Sequence, residues 1–311
     1  EISMNQILLI FTGTGAKRQL TGKLGMAVHG CAALVALAVI YTTTIVYVDL
    51  YVMMVVFLSA MLALLFINIS PGPLGRKDRP GLIDWCLVLA SIAVGVYFLL
   101  ESQRIAERIT LLFPLETPDL LAASVLLALT IEATRRTVGF GLTSVVLVFV
   151  VYNLWGDGLP GALGFREVSY NHFLDIMMFT SDGLFGVPLR VAATYAFLFV
   201  MFGTFLSKAG GAEFFYNLSS ALAGRRTGGP AKIAVISSGL YGTMSGSPTS
   251  DVVTTGSVTI PIMQRLGYSK PLSGSVEVAA STGGSLLPPV MGSAAFIMAE
   301  YTGIEYREIA I

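Results

Sequence analysis

Apolar positions in this chain fall in long unbroken runs rather than in amphipathic stripes. Gly25 to Tyr47, Tyr51 to Ile69, Leu82 to Leu100, a shorter Leu120 to Thr134, and Val138 to Trp155 each read as a membrane-crossing helix, and Pro188 to Lys208 as a sixth. Polar punctuation separates them. A tight turn sits at Asp49, a loop SPGPLGRKDRPG follows the second run, and Gly156 to Asn171 is rich in glycine. Ser102 to Asp119, which carries Pro114 and Pro118, and His172 to Val187 mix polar and apolar residues too closely to span, and are expected along the interface.

Cations give the runs a direction. Lys17, Arg18 and Lys23, then Arg76, Lys77 and Arg79, then Arg135 and Arg136 alternate with the spans, so they share one face. The bias of Lys and Arg toward the cytoplasm makes that face, and residues 1–24, cytoplasmic.

Residues 231–300 break this pattern. Two apolar arms of about 13 residues flank SGSPTSD; at 1.5 Å per helical residue each reaches roughly 20 Å, short of the roughly 30 Å of a bilayer core. Arg265 and Lys270 follow the second arm, so the chain returns to the face it left, and 231–265 is expected to be a re-entrant hairpin. The first arm is predicted to end near Gly242. The second opens with Ser247 as N-cap and Pro248 at the first helical position. A further segment, 271–300, is expected to be a broken helix, interrupted at Ser281-Thr282-Gly283-Gly284 and again at Pro288-Pro289.

Non-helical backbone at membrane depth is tolerated only where it is buried in protein or lines a cavity, so these interruptions are candidate binding elements. Free N–H groups at the start of the second arm suit an anion, with Ser247, Thr249, Ser250 and Asp251 as its contacts. Hydroxyl and carbonyl oxygens suit a hard cation such as sodium, with Ser245, Gly246, Ser281, Thr282, Gly283 and Gly284 as ligands. Asp251 is either part of that site or a plain first-turn acid answering its helix dipole. Glu277 is expected to pair with Arg265 or Lys270, and Glu132 with Arg135 and Arg136.

Composition narrows the class. The chain is 54% hydrophobic and 12% charged, against about 25% charged in a soluble domain, which makes it an all-α polytopic membrane protein. A net formal charge of zero gives no reason to expect nucleic acid. Cys31 and Cys86 lie in apolar runs as expected packing residues, and His29 and His172 stand alone. An intramembrane hydrolase using Ser247 or Ser250 lacks a base to activate either serine, so a transporter is expected rather than an enzyme.

SGSPTSDVVTTGSVTIPIMQRLGY followed by GSVEVAASTGGSLLPPVMGSAAFIMAE resembles the large membrane subunit of tripartite ATP-independent periplasmic (TRAP) transporters, closest to the TAXI type with fused small and large subunits. The likeness covers 231–300. It implies a small-subunit-like scaffold over 25–170 and, over 171–311, the first half of an elevator-type transport domain whose inverted repeat would follow residue 311. It also implies a sodium-coupled importer of a small organic anion, in a bacterial or archaeal inner membrane. The anion would be delivered by a periplasmic TAXI-type binding protein. The alternative is an anion and sodium symporter with re-entrant hairpins that needs no binding protein.

Overall fold

A computed structural model describes the chain except for residues 1–13, 47, 74, 76, 77, 162, 163 and 289. The expectations for Arg76, Lys77 and Pro289 therefore lie outside the described residues. The regular structure of the described residues is helical, with an isolated bridge between Lys17 and Ile69 as its strand-like pairing. It divides into two compact units, Glu1–Arg190 and Val191–Ile311.

Six helices are long and apolar enough to cross a membrane: Gly22–Thr44, Leu50–Asn68, Leu82–Leu100, Thr117–Thr137, Phe140–Gly158 and Val187–Lys208. Each has its counterpart among the predicted spans. The fourth is longer than expected at both ends. Pro118 and Asp119 lie in its first turn, where the Asp119 carboxylate accepts the Glu116 N–H at 3.3 Å, and its last turn carries Arg135 and Arg136 into buried partners. The sixth contains a wide turn at Ala192–Ala196 between Val187–Val191 and Phe197–Lys208. Outward faces stay apolar, as at Leu34, Leu89 and Val148, which is what lipid requires. Cys31 and Cys86 lie on such faces, so the packing role expected for them is not the one they have.

Within the first unit, Leu50–Asn68 and Leu82–Leu100 pack closely because Gly95 has no side chain to collide with Ser59. Phe98 packs at a tilt against Phe179 and Phe185, with ring centroids 5.4 and 5.7 Å away. Beneath these helices runs a buried ionic network. Asp84 accepts from Arg136 at 2.6 Å and from Arg18, and Arg136 also meets Glu132 at 2.7 Å. Glu132 binds Arg135 as well, at 2.8 Å, as the spacing on the helix predicts. Outside the spans, Arg104 binds Asp119 and Glu101, while Arg108 reaches Asp175 of the short helix Tyr170–Phe179 at 2.6 Å.

The second unit holds the predicted hairpin. Its first arm, Gly229–Ser245, runs three residues beyond Gly242, and its second is Pro248–Thr254 continued by Gly256–Arg265. At 1.5 Å per residue both arms reach about 25–27 Å, longer than predicted and still short of the roughly 30 Å core. They lie antiparallel, since Ser238 and Thr255 meet at 2.8 Å, each about two turns from the tip. The third helix, Lys270–Gly284, packs on both arms. The break predicted at Ser281-Thr282-Gly283-Gly284 is displaced: those residues form the last turn of Lys270–Gly284, and residues 285–288 and 290–292 are non-helical before Ser293–Thr302 begins. The glycines stay helical because Gly284 gains a close contact there, described below.

Candidate functional site at the hairpin tip

The tip turns in two residues. Gly246 closes the first arm with φ +59° and donates its N–H to Gly242 O at 3.1 Å. Ser247 caps the second arm by accepting the Ser250 N–H at 3.4 Å, and Pro248 occupies the first helical position as the sequence predicts. Ser245, at the end of the first arm, accepts the Ser247 N–H at 3.2 Å and donates its own hydroxyl to Asp251 Oδ1.

Residues 285–288 and 290–292 close over this turn. Val290 N–H donates to Thr243 O at 3.0 Å, and Gly292 N–H to Ser285 O at 2.8 Å. Met291 holds φ +58°, in the left-handed region that side chains seldom enter, and its carbonyl lies where a β-carbon on Gly246 would sit. Gly246 is thus required twice, for its own φ and for this contact.

Under the tip the backbones of hairpin and third helix touch. A β-carbon at Gly242 would come within 2.7 Å of Gly284 Cα and 3.0 Å of Asp251 Oδ2. Asp251 is fully buried. So is Ser281, one turn before Gly284 on the same face of its helix. Asp251 Oδ2 and Ser281 Oγ have no hydrogen-bond partner among the described residues. Buried polar atoms are almost always paired, so these two oxygens beside one helix contact are available as ligands. The surrounding donors are oxygens, and among the described residues no cluster of three or more His, Cys, Asp or Glu could hold a metal. That donor set fits a hard alkali cation better than a transition metal.

Residues 125–311 match the family model described as the DctM component of the tripartite ATP-independent periplasmic transporters. The chain belongs to that family. The whole of the hairpin and of the interrupted helix lies inside the matched region of this TRAP family. Among similar proteins is the C4-dicarboxylate TRAP transporter large permease protein DctM of Pseudomonas aeruginosa, 28% identical over 138 residues, covering 42% of this chain and 32% of the relative. The isethionate TRAP transporter permease protein DctMQ of Oleidesulfovibrio alaskensis is 28% identical over 155 residues, covering 48% and 23%. The uncharacterized protein YgiK of Salmonella typhimurium is 32% identical over 91 residues, covering 29% and 21%. The chain thus spans between about a fifth and a third of the length of these relatives. No solved structure matches.

Within this TRAP-family segment the candidate residues separate into two sets. Ser245, Asp251, Ser281 and Gly284 are buried together at the hairpin and helix contact, with Gly246 and Ser247 half-buried at the turn. Thr249, Ser250, Thr282 and Gly283 face outward. The Thr282 hydroxyl is spent on Val278 O at 2.8 Å, and a β-carbon on Gly283 would meet nothing within 4 Å.

Glu277 requires a correction. It pairs with neither Arg265 nor Lys270, both of which are exposed, because its side chain points inward and is completely buried. Ser238 donates to its Oε1 at 2.7 Å, Thr255 to the same oxygen at 2.5 Å, and Thr259 to Oε2. These three hydroxyls did not stand out in the sequence. The signal was their spacing: Asp251, Thr255 and Thr259 recur every four residues on one face of the second arm, and Glu277 and Ser281 repeat that interval on the third helix.

Proposed function

We propose that this chain is part of the membrane component of a sodium-coupled TRAP importer of the TAXI type. Residues 25–170 serve as a small-subunit-like scaffold, and 171–311 as the first half of an elevator-type transport domain. The protein resides in a bacterial or archaeal inner membrane with its N-terminus cytoplasmic, and takes a small organic anion from a periplasmic binding protein. Named relatives carry C4-dicarboxylate and isethionate in their titles, both small organic anions, which supports that substrate class.

The observation that carries the reading is the pair of buried, unpartnered oxygens, Asp251 Oδ2 and Ser281 Oγ, beneath a tip that closes against a helix break. Sodium held between them ties the hairpin to the third helix and so fixes the tip, where half-buried Ser247 and outward Thr249 and Ser250 are the substrate-side contacts. Gly246 and the nearby carbonyls of the last turn complete the oxygen shell. Because one structural element serves both ligands, binding of either favours the other by the same factor. A hydrolase reading is not favoured: residues 191–311 contain no histidine to activate Ser247 or Ser250, and the Asp251 oxygen nearest a serine accepts from Ser245.

The test is uptake of radiolabelled organic acids by the full-length protein in proteoliposomes, with and without an inward sodium gradient and its binding protein. Uptake that requires both supports the proposal. Uptake on sodium alone replaces it with the stand-alone anion symporter, and uptake indifferent to sodium removes the ion from the site.

A further inference from the structure

The residues that close over the hairpin tip are themselves held from the far side. Val290 is buried, and both of its backbone groups are engaged: its N–H donates to Thr243 O of the first arm at 3.0 Å, and its carbonyl accepts the Tyr306 hydroxyl at 2.6 Å. Met291 follows in the left-handed region, with its carbonyl against Gly246 at the turn. A side chain persists in that region only where its surroundings over-determine it, so the two bonds of Val290 bear directly on how 290–292 sits over the tip.

Tyr306 reaches Val290 because of how the chain folds beyond Ser293–Thr302. Gly303, with φ +69°, ends that helix and turns the chain, and Glu305 leads into the short helix Tyr306–Ile309. The Tyr306 ring is thereby laid flat on Phe296, with centroids 4.4 Å and planes 8° apart. Phe296 is in turn stacked with Tyr195 and Phe199, at 5.9 and 5.4 Å. Tyr195 belongs to the wide turn Ala192–Ala196 of the sixth span, and Phe199 lies one turn further along it. Stacking fixes the plane of the Tyr306 ring, and the hydroxyl at its edge lands on Val290 O.

Phenylalanine would stack as well and would leave Val290 O without this donor, so the hydroxyl adds something that packing alone does not. The contact is also built to open. A cavity of about 470 Å³ beside the stack, lined in part by Tyr195, Phe199, Ile304 and Tyr306, leaves the ring space to swing away without displacing a helix.

We propose that Tyr306 is a positioning residue for the hairpin tip: stacked on Phe296, it holds the Val290 carbonyl and so keeps 290–292 closed over Gly246. It acts through Val290 and Thr243, without contact to ion or substrate. That this favours the cation-binding form of the tip rests on the transport reading given above; the holding of Val290 does not.

Amide hydrogen exchange of the purified full-length protein, read by mass spectrometry on the peptide that carries Val290 and Gly292, tests the holding. Tyr306→Phe keeps the stack and removes the hydroxyl, whereas Tyr301→Phe removes a hydroxyl from an exposed ring on the preceding helix and serves as control. Exchange is expected to be about fivefold faster in Tyr306→Phe, as the loss of one hydrogen bond implies, and unchanged in Tyr301→Phe. Phe296→Leu, which keeps the hydroxyl and removes the ring that orients it, is expected to speed exchange as well. Exchange at the wild-type rate in either Tyr306→Phe or Phe296→Leu overturns the proposal.

Sodium titration of the melting temperature, with choline as the balancing salt, separates positioning from plain support. The sodium concentration needed for a given rise is expected to increase by up to about fivefold in Tyr306→Phe, because a smaller share of the protein has the tip closed. A side chain that only supports the fold would lower the melting temperature at every sodium concentration and leave that requirement unmoved. An unmoved requirement therefore overturns the positioning role. A wild type that sodium does not stabilise refutes the transport reading instead, and hydrogen exchange still decides whether Tyr306 holds Val290.

Discussion

Replacing Gly242 by alanine tests whether the contact between hairpin and third helix governs cation binding. The new β-carbon would lie 2.7 Å from Gly284 Cα, 2.8 Å from Gly284 C and 3.0 Å from Asp251 Oδ2. Carbon atoms pack at about 3.5–4.0 Å, so the two backbones must part by roughly 1 Å. Overpacking of that kind costs about 1–3 kcal/mol, and removing a glycine from a helix interior returns about 0.5–1 kcal/mol. Gly274→Ala is the matched control: it makes the same exchange within the third helix where nothing lies within 4 Å, and should only gain. The two variants should therefore differ by about 1–3 kcal/mol in unfolding free energy. Measured in detergent with sodium or with choline, the rise in melting temperature caused by sodium should be reduced in Gly242→Ala and intact in Gly274→Ala. A Gly242→Ala protein as stable as its control, with the full sodium increment, would refute the reasoning.

Gly283→Ala should leave the sodium increment at its wild-type value, because that position faces open space; loss of the increment would return Gly283 to the site. Asp251→Asn should abolish the increment and Ser281→Ala should reduce it, both read in the same melting assay; full retention in Asp251→Asn would remove the carboxylate from the cation site. Asp84→Ala strands Arg18 and Arg136 without their shared acceptor and should cost about 3–5 kcal/mol in denaturant unfolding, with a cost under about 1 kcal/mol contradicting the ion-pair account.

The spans were legible because a bilayer demands long apolar runs, and length alone separates them from core helices. The hairpin was legible for a related reason: arms too short to cross, with Ser247 and Pro248 marking where the second begins. What escaped was set by contacts between elements. Gly242 and the pair Gly283-Gly284 read locally as helix breakers, yet Gly242 and Gly284 are helical because each gives the other room. Nothing within either arm announces that. Glu277 was assigned to Arg265 or Lys270 by nearness in sequence, whereas the fold turns it toward Ser238, which lies 39 residues away. Likewise Arg18 precedes the first span and reads as an interfacial cation, but it is buried against Asp84, 66 residues on.

The two units treat buried acids differently, and the difference follows the roles proposed for them. In the first, Asp84, Asp119 and Asp175 are each neutralised by an arginine of the same unit. Arginine keeps its proton at any ordinary pH, and breaking such a pair strands a charge, so these contacts hold one arrangement. In the second, Asp251 and Glu277 have no arginine or lysine partner among the described residues, and the oxygens around them belong to hydroxyls that can turn. Glu277 is met by three hydroxyl donors, and in the function proposed above Asp251 is balanced by an ion that arrives and leaves. A scaffold needs the first kind of acid and an ion-coupled element the second. Removing the charge of Asp251 should therefore abolish coupling while sparing the fold: Asp251→Asn, which keeps the side-chain volume of this fully buried residue, is expected to retain the melting transition, lose its sodium increment, and remove the sodium dependence of uptake. Retained sodium dependence in that variant would show that the buried acid is not what the ion neutralises.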